Sequence, residues 1–217
     1  MSRIAQLFQN PLQLLYALPA ILIGLTVHEW AHAYAAYRLG DPTARNLGRM
    51  TLNPLAHIDP FGFIMLLLVG FGWAKPVPIN PRNFKNYKRD DIIVSLAGIF
   101  MNLITAFLFT FIYVAGVLKW GLGANTAFIS IFGSIITINL ALAVFNLIPI
   151  YPLDGSHVLE SLLVRKIPRF FMFLRQYGQW ILIILLLTGI VSTVLSYLVS
   201  GIMSGYFAAA AWFVNLF

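Results

Sequence analysis

Long apolar stretches alternate with short polar connections along the chain, and this pattern predicts membrane helices. The stretches cover residues 11–37, 91–118, 126–148 and 177–199. Each is long enough to cross the hydrocarbon core of a bilayer, which takes about 20 helical residues. The first run continues past the length of a signal-peptide core and has no A-x-A cleavage site, so we expect a retained helix. The apolar tail at 201–217 is borderline in length, and glycine and serine near 200–205 would permit a break before it.

A shorter apolar stretch at 61–73 is followed by the proline-rich sequence AKPVPINP at 74–81. The stretch is too short to cross a bilayer, which favours a re-entrant or interfacial segment. The prolines favour extended backbone at an edge position. Such an edge could pair with an unwound peptide, whereas the alternative is a membrane-surface loop anchored by Trp73 and Lys75. With the four long spans, these segments predict an all-α polytopic membrane protein with about five to six membrane helices.

Composition supports a membrane location, because 60% of the 217 residues are hydrophobic, 10% are charged and the mean hydropathy is +0.85. The formal net charge is +7, which in such a protein is typical of cytoplasmic loops rather than of nucleic-acid binding. All Lys and Arg except Arg3 and Lys119 fall in three clusters, at 38–49, 75–89 and 165–175. If 61–73 enters and leaves on one side, the three clusters share one face, which predicts cytoplasmic basic loops and an outside N-terminus. Without an internal repeat or a linker, residues 1–217 are expected to form one domain of the cell membrane.

The most unusual polar residues lie in the first apolar run, in the sequence VHEWAHAY at 27–34. On a helix, His28 and His32 lie one turn apart on the same face and can chelate one zinc ion. Glu29 is offset by about 100° around the helix, so its carboxylate could act as general base toward a zinc-activated water. The alternatives are polar contacts between helices or a chance match to the motif, but three ionisable groups within five residues of a membrane helix favour a shared function.

A catalytic zinc commonly has three protein ligands, so a third is needed, and without cysteine it must be His, Asp or Glu. Asp154 lies in FNLIPIYPLDG, where Pro149 and Pro152 interrupt helical hydrogen bonding at membrane depth. It is a candidate third ligand, with a simple turn before Gly155 as the alternative. The other candidates have local explanations: turns for Asp41 and Asp59, helix N-caps for Asp90 and Asp91, a loop or interface for His57, and an amphipathic stretch for His157 and Glu160.

Five separated motifs resemble those of the site-2 protease family of intramembrane zinc metalloproteases, in the branch without large appended domains. They are HEWAH at 28–32, GDPTARNLGRMTLNPLAHIDPFG at 40–62, GWAKPVPINP at 72–81, SLAGIFMN at 95–102 and NLIPIYPLDG at 146–155. The resemblance implies that His28, His32 and Asp154 bind one Zn²⁺ per chain and that Glu29 is the catalytic base. It also implies a core of three helices, those at 11–37, 91–118 and 126–148. One departure is visible, because the family pattern AGP reads Ala-Gly-Ile at 97–99, with Asn102 retained.

Three asparagines lie in the apolar helices. For Asn102 and Asn139 we expect hydrogen bonds between helices. Asn146 lies next to the proline break, so we expect it to bind the substrate backbone or the oxyanion, with an interhelical hydrogen bond as the alternative.

The function implied by the resemblance is regulated intramembrane proteolysis of transmembrane protein substrates in the lipid bilayer. No nucleic acid is expected as a partner, and a regulatory membrane partner and a homo-oligomer stay open. One rival is a non-catalytic membrane scaffold or binding protein that retains the protease fold. A second rival is a metal-ion transporter, which would place further histidines or carboxylates along the other spans.

Overall fold

The computed structural model describes residues 11–69 and 72–216, and these residues form eight α-helices. The helices are α1 (Pro11–Arg38), α2 (Thr43–Asn46), α3 (Pro60–Val69), α4 (Tyr87–Leu118), α5 (Thr126–Asn146), α6 (Asp154–Leu163), α7 (Pro168–Leu187) and α8 (Ile190–Leu216). Within the described ranges, the β-type pairing is limited to one antiparallel bridge between Ile58 and Ala74. By length and composition, α1, α4, α5, α7 and α8 are candidate membrane spans. The all-α polytopic fold class is confirmed.

The fourth span, expected at 177–199, is wrong in its bounds, because α7 ends at Leu187 and α8 begins at Ile190. Gly189 between them has φ +75°, a left-handed conformation that glycine adopts easily and that commonly ends helices. The break between the two helices therefore lies at Gly189 and not near 200–205. A hydropathy pattern does not detect this break, because the residues on both sides of it are apolar. Residues 1–10, with Arg3, and residues 70 and 71 of the expected re-entrant stretch lie outside the described residues.

Helices α1, α4 and α5 pack against one another and form the expected three-helix core. Small residues permit the close approach, as is common in membrane helix packing. At Gly24 on α1, a Cβ atom would lie 2.7 Å from the side chain of Leu142 on α5. Helix α8 covers α4 and α5, where its Val199 joins a buried cluster with Ala106 and Leu140.

Helix α4 begins four residues before the expected span, and its N-terminal hydrogen bonds differ from the prediction. The N-cap is Asn86, whose side chain accepts the Arg89 N–H at 3.2 Å. Asp90 accepts the Asn86 N–H at 2.9 Å, a reciprocal pairing that satisfies two free donors of the first turn. Asp91 instead accepts a hydrogen bond from the Ser161 hydroxyl on α6. The prediction that Asp90 and Asp91 are N-cap residues is therefore wrong, because the helix begins earlier at Tyr87, although Asp90 takes part in the cap through Asn86.

The chain before α3 and the chain at 74–75 are hydrogen-bonded to each other. Helix α3 has ten residues, too few to cross a bilayer. The Ile58–Ala74 bridge and a 2.9 Å hydrogen bond from the Lys75 N–H to the His57 carbonyl bring the two ends of the segment together. Residues 72–80, called the extended segment after the sequence prediction, contain no helix and no turn, and Val77 packs against Ala33 of α1. The short α3 and its paired ends are compatible with the predicted re-entrant segment, whose place in the membrane stays a prediction.

Asp41, directly after α1, holds the far end of this extended segment. It accepts hydrogen bonds from the Thr43 hydroxyl, from the Asn80 N–H at 2.7 Å and from the Asn83 amide at 2.7 Å. Burial alone would raise the pKa of Asp41, but these hydrogen bonds outweigh it and hold the pKa below the ordinary value. The residue therefore serves more than the local turn that the sequence indicates.

Candidate metal centre

His28 and His32 lie one turn apart on α1, both buried in the core. Their rings meet edge to face, with centroids 4.5 Å apart and an interplanar angle of 83°. Their two Nε2 atoms are 3.0 Å apart. The pair therefore directs two ring nitrogens at one point inside the protein.

Neighbouring groups determine which nitrogen of each ring carries the hydrogen. Nδ1 of His32 lies 2.7 Å from the carbonyl oxygen of Val94, which can only accept. Nδ1 of His28 lies 2.9 Å from Oδ1 of Asn102, and Nδ2 of Asn102 donates to the Gly24 carbonyl at 3.3 Å. Because a carbonyl oxygen can only accept, the amide nitrogen of Asn102 faces Gly24 and its amide oxygen faces His28. Both histidines thus carry a hydrogen on Nδ1, and in the neutral form each ring has a lone pair on Nε2.

A second asparagine supports this orientation. Nδ2 of Asn139 donates to the Ile135 carbonyl at 2.8 Å, so its Oδ1 is free to accept from Nδ2 of Asn102 at 3.2 Å. The chain of hydrogen bonds joins α5 and α4 to His28 on α1. The interhelical hydrogen bonds predicted for Asn102 and Asn139 are confirmed, and Asn102 also holds the imidazole.

Asp154, the first residue of α6, brings a carboxylate to the same point. Its Oδ2 lies 3.1 Å from Nε2 of His28 and 3.3 Å from Nε2 of His32. This buried oxygen has no hydrogen-bond partner among the described residues. With both imidazoles neutral, three acceptor atoms face one another, and a cation between them would satisfy all three.

The spacing of the three atoms fits zinc. Ligand atoms about 2.0–2.1 Å from a tetrahedral zinc ion lie about 3.3 Å from one another. The observed separations are 3.0, 3.1 and 3.3 Å. Two imidazoles and one carboxylate leave a fourth position open, which is typical of catalytic rather than structural zinc.

Two glycines make this geometry possible. A Cβ atom on Gly98 of α4 would lie 2.5 Å from Nε2 of His32 and 2.7 Å from Nδ1 of His28. A Cβ atom on Gly155 would lie 2.3 Å from the carbonyl oxygen of Leu147, at the end of α5. Glycine at these positions therefore lets α4 lie against the imidazoles and lets α6 start beside α5.

Glu29 is buried next to the histidines but is not among the atoms grouped at the candidate metal position. Its Oε2 accepts the backbone N–H of Val77 at 2.8 Å. A residue of the extended segment thus holds one oxygen of the carboxylate whose predicted role is general base.

A cavity of about 850 Å³ contains the candidate site. Its walls include His28, Glu29, His32 and Asp154, together with Asn146. The side-chain amide of Asn146 donates to the Leu142 carbonyl of its own helix at 2.9 Å, rather than to another helix. The predicted contact of Asn146 with substrate stays a prediction, and its place in the cavity wall is compatible with it.

The remaining acids and histidines divide into two groups. His57 bonds the Thr51 carbonyl at 2.8 Å, which agrees with the predicted loop. Asp59 directly precedes α3 and accepts the Gly62 N–H at 2.7 Å, which is a helix-capping contact rather than the predicted turn. The second group lines the cavity, a position that the sequence did not indicate, and consists of Asp91, His157 and Glu160. Of these, Glu160 forms an ion pair with Arg175 of α7 at 2.8 Å.

The sequence reasoning missed three contributors to the site: Gly98, Asn102 in its contact with His28, and the N–H of Val77. A signal existed for the first two, because Gly98 and Asn102 are four residues apart and share one face of an apolar helix. A small residue and an amide on one face indicate a close polar contact with another helix. No pattern in the sequence indicated the backbone contact of Val77, because it depends on how the extended segment packs.

Comparisons with known proteins indicate a family of zinc metalloproteases. The sequence pattern of peptidase family M50 matches residues 16–187. The chain is 40% identical over 190 residues to the "Putative zinc metalloprotease YwhC" of Bacillus subtilis (strain 168). The aligned region covers 85% of this chain and 86% of the relative.

Two mycobacterial proteins are also similar. The "Putative zinc metalloprotease Rip2" of Mycolicibacterium smegmatis is 31% identical over 174 residues, or 77% of this chain and 64% of the relative. The Rip2 of Mycobacterium tuberculosis (strain H37Rv) is 31% identical over 178 residues, or 76% of this chain and 64% of the relative. The chain thus spans slightly less than two thirds of these two relatives. No solved structure matches the chain significantly.

Proposed function

The chain belongs to peptidase family M50, and on that premise we propose that it is an intramembrane zinc metalloprotease. In this proposal it hydrolyses peptide bonds in or near transmembrane segments of membrane-protein substrates, with one Zn²⁺ per chain. The observation that carries the proposal is the group of three acceptor atoms on His28, His32 and Asp154, with Glu29 in the same cavity.

The proposed roles follow from the geometry of the donors. Zinc at the three ligand atoms would supply a Lewis acid and a source of hydroxide near neutral pH. Glu29 accepts a proton from water and returns it to the leaving amine, while the Val77 N–H holds one carboxylate oxygen in place. Asn146 is the candidate donor to the substrate backbone or oxyanion. The cavity of about 850 Å³ is large enough for an unwound peptide segment.

Pairing of the substrate with the extended segment 72–80 stays a hypothesis, and the structure shows which backbone N–H groups of the segment are already bonded within the protein. The N–H of Lys75 and that of Val77 are already used by His57 and Glu29, and Pro76 and Pro78 have no N–H. Replacement of Val77 by proline would therefore also disturb Glu29, so Ile79→Pro with Ile79→Ala as control is the cleaner pair. Unchanged cleavage by the Ile79→Pro variant would argue for the surface-loop alternative.

The orientation in the membrane is a further part of the proposal. The paired ends of the 58–74 segment support a re-entrant path, which gives cytoplasmic basic loops and an outside N-terminus by the positive-inside rule. The contacts of α8 with the three-helix core support one membrane domain over residues 1–217. A regulatory membrane partner and a homo-oligomer remain hypotheses.

The two rivals make different predictions from a protease. A transporter should carry ionisable ligands along several spans, but α5, α7 and α8 contain no His, Asp or Glu. A scaffold that retains the fold would have no need for Glu29 beside the ligand atoms. A complete donor set with an adjacent base therefore favours a protease over both.

The test compares wild type with Glu29→Gln, both expressed in a bacterial host whose membrane proteins are then mapped for new N-termini by mass spectrometry. Glutamine keeps the size of the side chain and an acceptor for Val77, but it cannot take up a proton. We expect new termini inside transmembrane segments with wild type alone, while both proteins contain zinc. Equal sets of termini from the two proteins would overturn the protease proposal and favour a scaffold.

A further inference from the structure

Arg49 lies next to the peptide group that holds Glu29. Its Nη2 donates to the carbonyl oxygen of Lys75 at 2.8 Å and to that of Pro76 at 3.2 Å. The carbonyl of Pro76 and the N–H of Val77 belong to one peptide group. The two groups point in opposite directions across a trans peptide, so Arg49 bonds one end of it and Glu29 bonds the other.

This arrangement connects a cation to a buried carboxylate through a single peptide dipole. The guanidinium polarises the Pro76 carbonyl, and hydrogen bonds in such a chain strengthen one another, here with the Glu29 contact buried and the Arg49 contact nearer the surface. The Val77 N–H becomes a better donor to Glu29, and the peptide plane cannot rotate without breaking a bond at one end. Arg49 thus affects both the strength and the direction of the contact with the carboxylate.

The sequence around the peptide restricts it further. Pro76 and Pro78 fix their own φ angles and have no N–H, so Val77 supplies the one backbone donor within 76–78. The Val77 side chain is buried with Ala33 of α1 and Ala44 of α2. The N–H of Arg49 bonds the Ala44 carbonyl at 2.8 Å, so the same small cluster positions both the arginine and the peptide.

We propose that Arg49 is a positioning residue for Glu29, acting through the Pro76–Val77 peptide group. The inference rests on the proposed function for its catalytic consequence, but the structural link can be measured without a substrate. Its loss should leave Glu29 in the cavity with a carboxylate that samples several orientations. General-base catalysis is sensitive to such misplacement, because the base must lie within hydrogen-bond reach of the proton it takes.

Hydrogen exchange of the full-length protein in detergent, read by mass spectrometry, tests the link directly. Residues 75–78 contain two backbone N–H groups, those of Lys75 and Val77, so a peptide covering them reports on few sites. We expect Arg49→Met to speed exchange there by about tenfold, as the loss of a charge-assisted hydrogen bond predicts. Glu29→Ala should speed it similarly, and the double variant should add little to either single change.

The controls separate a positioning role from general support of the fold. Arg45→Met removes a neighbouring arginine that bonds Tyr37 instead, and it should leave exchange at 75–78 unchanged. Arg49→Lys keeps a charged donor and should restore most of the protection. With a substrate from the terminus mapping, Arg49→Met should lower kcat by about tenfold or more while KM and zinc content stay near wild type.

Two results would overturn the inference. The first is unchanged exchange at 75–78 in Arg49→Met, and the second is a parallel loss of zinc and of global protection in both Arg49→Met and Arg49→Lys. If wild type cleaves no transmembrane segment, the proposed function fails, while the exchange comparison still decides whether Arg49 positions Glu29.

Discussion

Replacement of Asn102 by leucine tests the hydrogen-bond chain that sets the His28 tautomer. The substitution keeps a side chain of similar size but removes the acceptor of the His28 Nδ1–H. It also removes the donor to the Gly24 carbonyl and to Asn139. Asn102 is fully buried, so water cannot readily replace these partners.

The expected magnitude follows from what each lost contact does. A buried N–H without an acceptor costs about 1–3 kcal/mol, and loss of an outer hydrogen bond to a metal-binding histidine lowers metal affinity by about 10–100-fold. The two other contacts join helices in a membrane, where a polar pair contributes on average about 0.6 kcal/mol. The effect on zinc affinity should therefore exceed the effect on the fold.

The assay is competition for zinc between the detergent-purified protein and a chromophoric chelator at pH 7. Thr110→Val is a matched control on the same helix, because Thr110 is fully buried and its hydroxyl bonds only the Ala106 carbonyl of its own turn at 2.8 Å among the described residues. We expect Asn102→Leu to weaken zinc binding by about 10–100-fold and Thr110→Val to leave it near wild type. An affinity within about twofold of wild type for Asn102→Leu would refute the tautomer argument.

Three further predictions follow from the site and its supports. Gly98→Ala should strongly reduce bound zinc, measured by metal analysis, because the added methyl would meet both imidazoles; full zinc occupancy would contradict the close packing of α4. Glu29→Gln should abolish cleavage and keep zinc, and residual cleavage near the wild-type rate would exclude Glu29 as the base. Hydrogen bonds outweigh burial and lower the pKa of Asp41 in the folded protein below 3.8, the value of the unfolded chain. The ionised Asp41 therefore stabilises the fold above pH 3.8, and this stabilisation is lost as the pH falls through the pKa of the folded state. Asp41→Asn should thus lower the Tm near pH 7, with a difference from wild type that narrows in acid; a difference that is constant with pH would oppose this explanation.

The pattern of the sequence predicts most of this architecture because the bilayer imposes simple length rules. The spans at α1, α4 and α5 are visible as apolar runs, and the HEWAH motif is specific enough to indicate a metal site by itself. The turn at Gly189 is not visible, because it divides one continuous apolar run and glycine alone is a weak signal. Hydropathy predicts whether a segment lies in lipid or in water, but it does not predict where the chain turns within an apolar run.

At the candidate site, too, the sequence predicts some features and not others. Two imidazoles and a carboxylate can be recognised as ligand types, but their supporting contacts depend on which helices meet. Asn102 reaches His28 over 74 positions of sequence, and Val77 reaches Glu29 over 48. Both contacts use groups that are common in any sequence, an amide and a backbone N–H, so only the packing of α4 and of the extended segment gives them a role.

The number of zinc ions bound per chain tests the central claim most directly. It is measured on detergent-purified wild type, His28→Ala and Asp154→Ala after zinc is supplied and excess metal is removed. We predict about one zinc ion in wild type and a sharp loss in both variants, because each removes one of three ligands. Zinc retained in full by Asp154→Ala, or absent from wild type, would contradict the proposed metal centre.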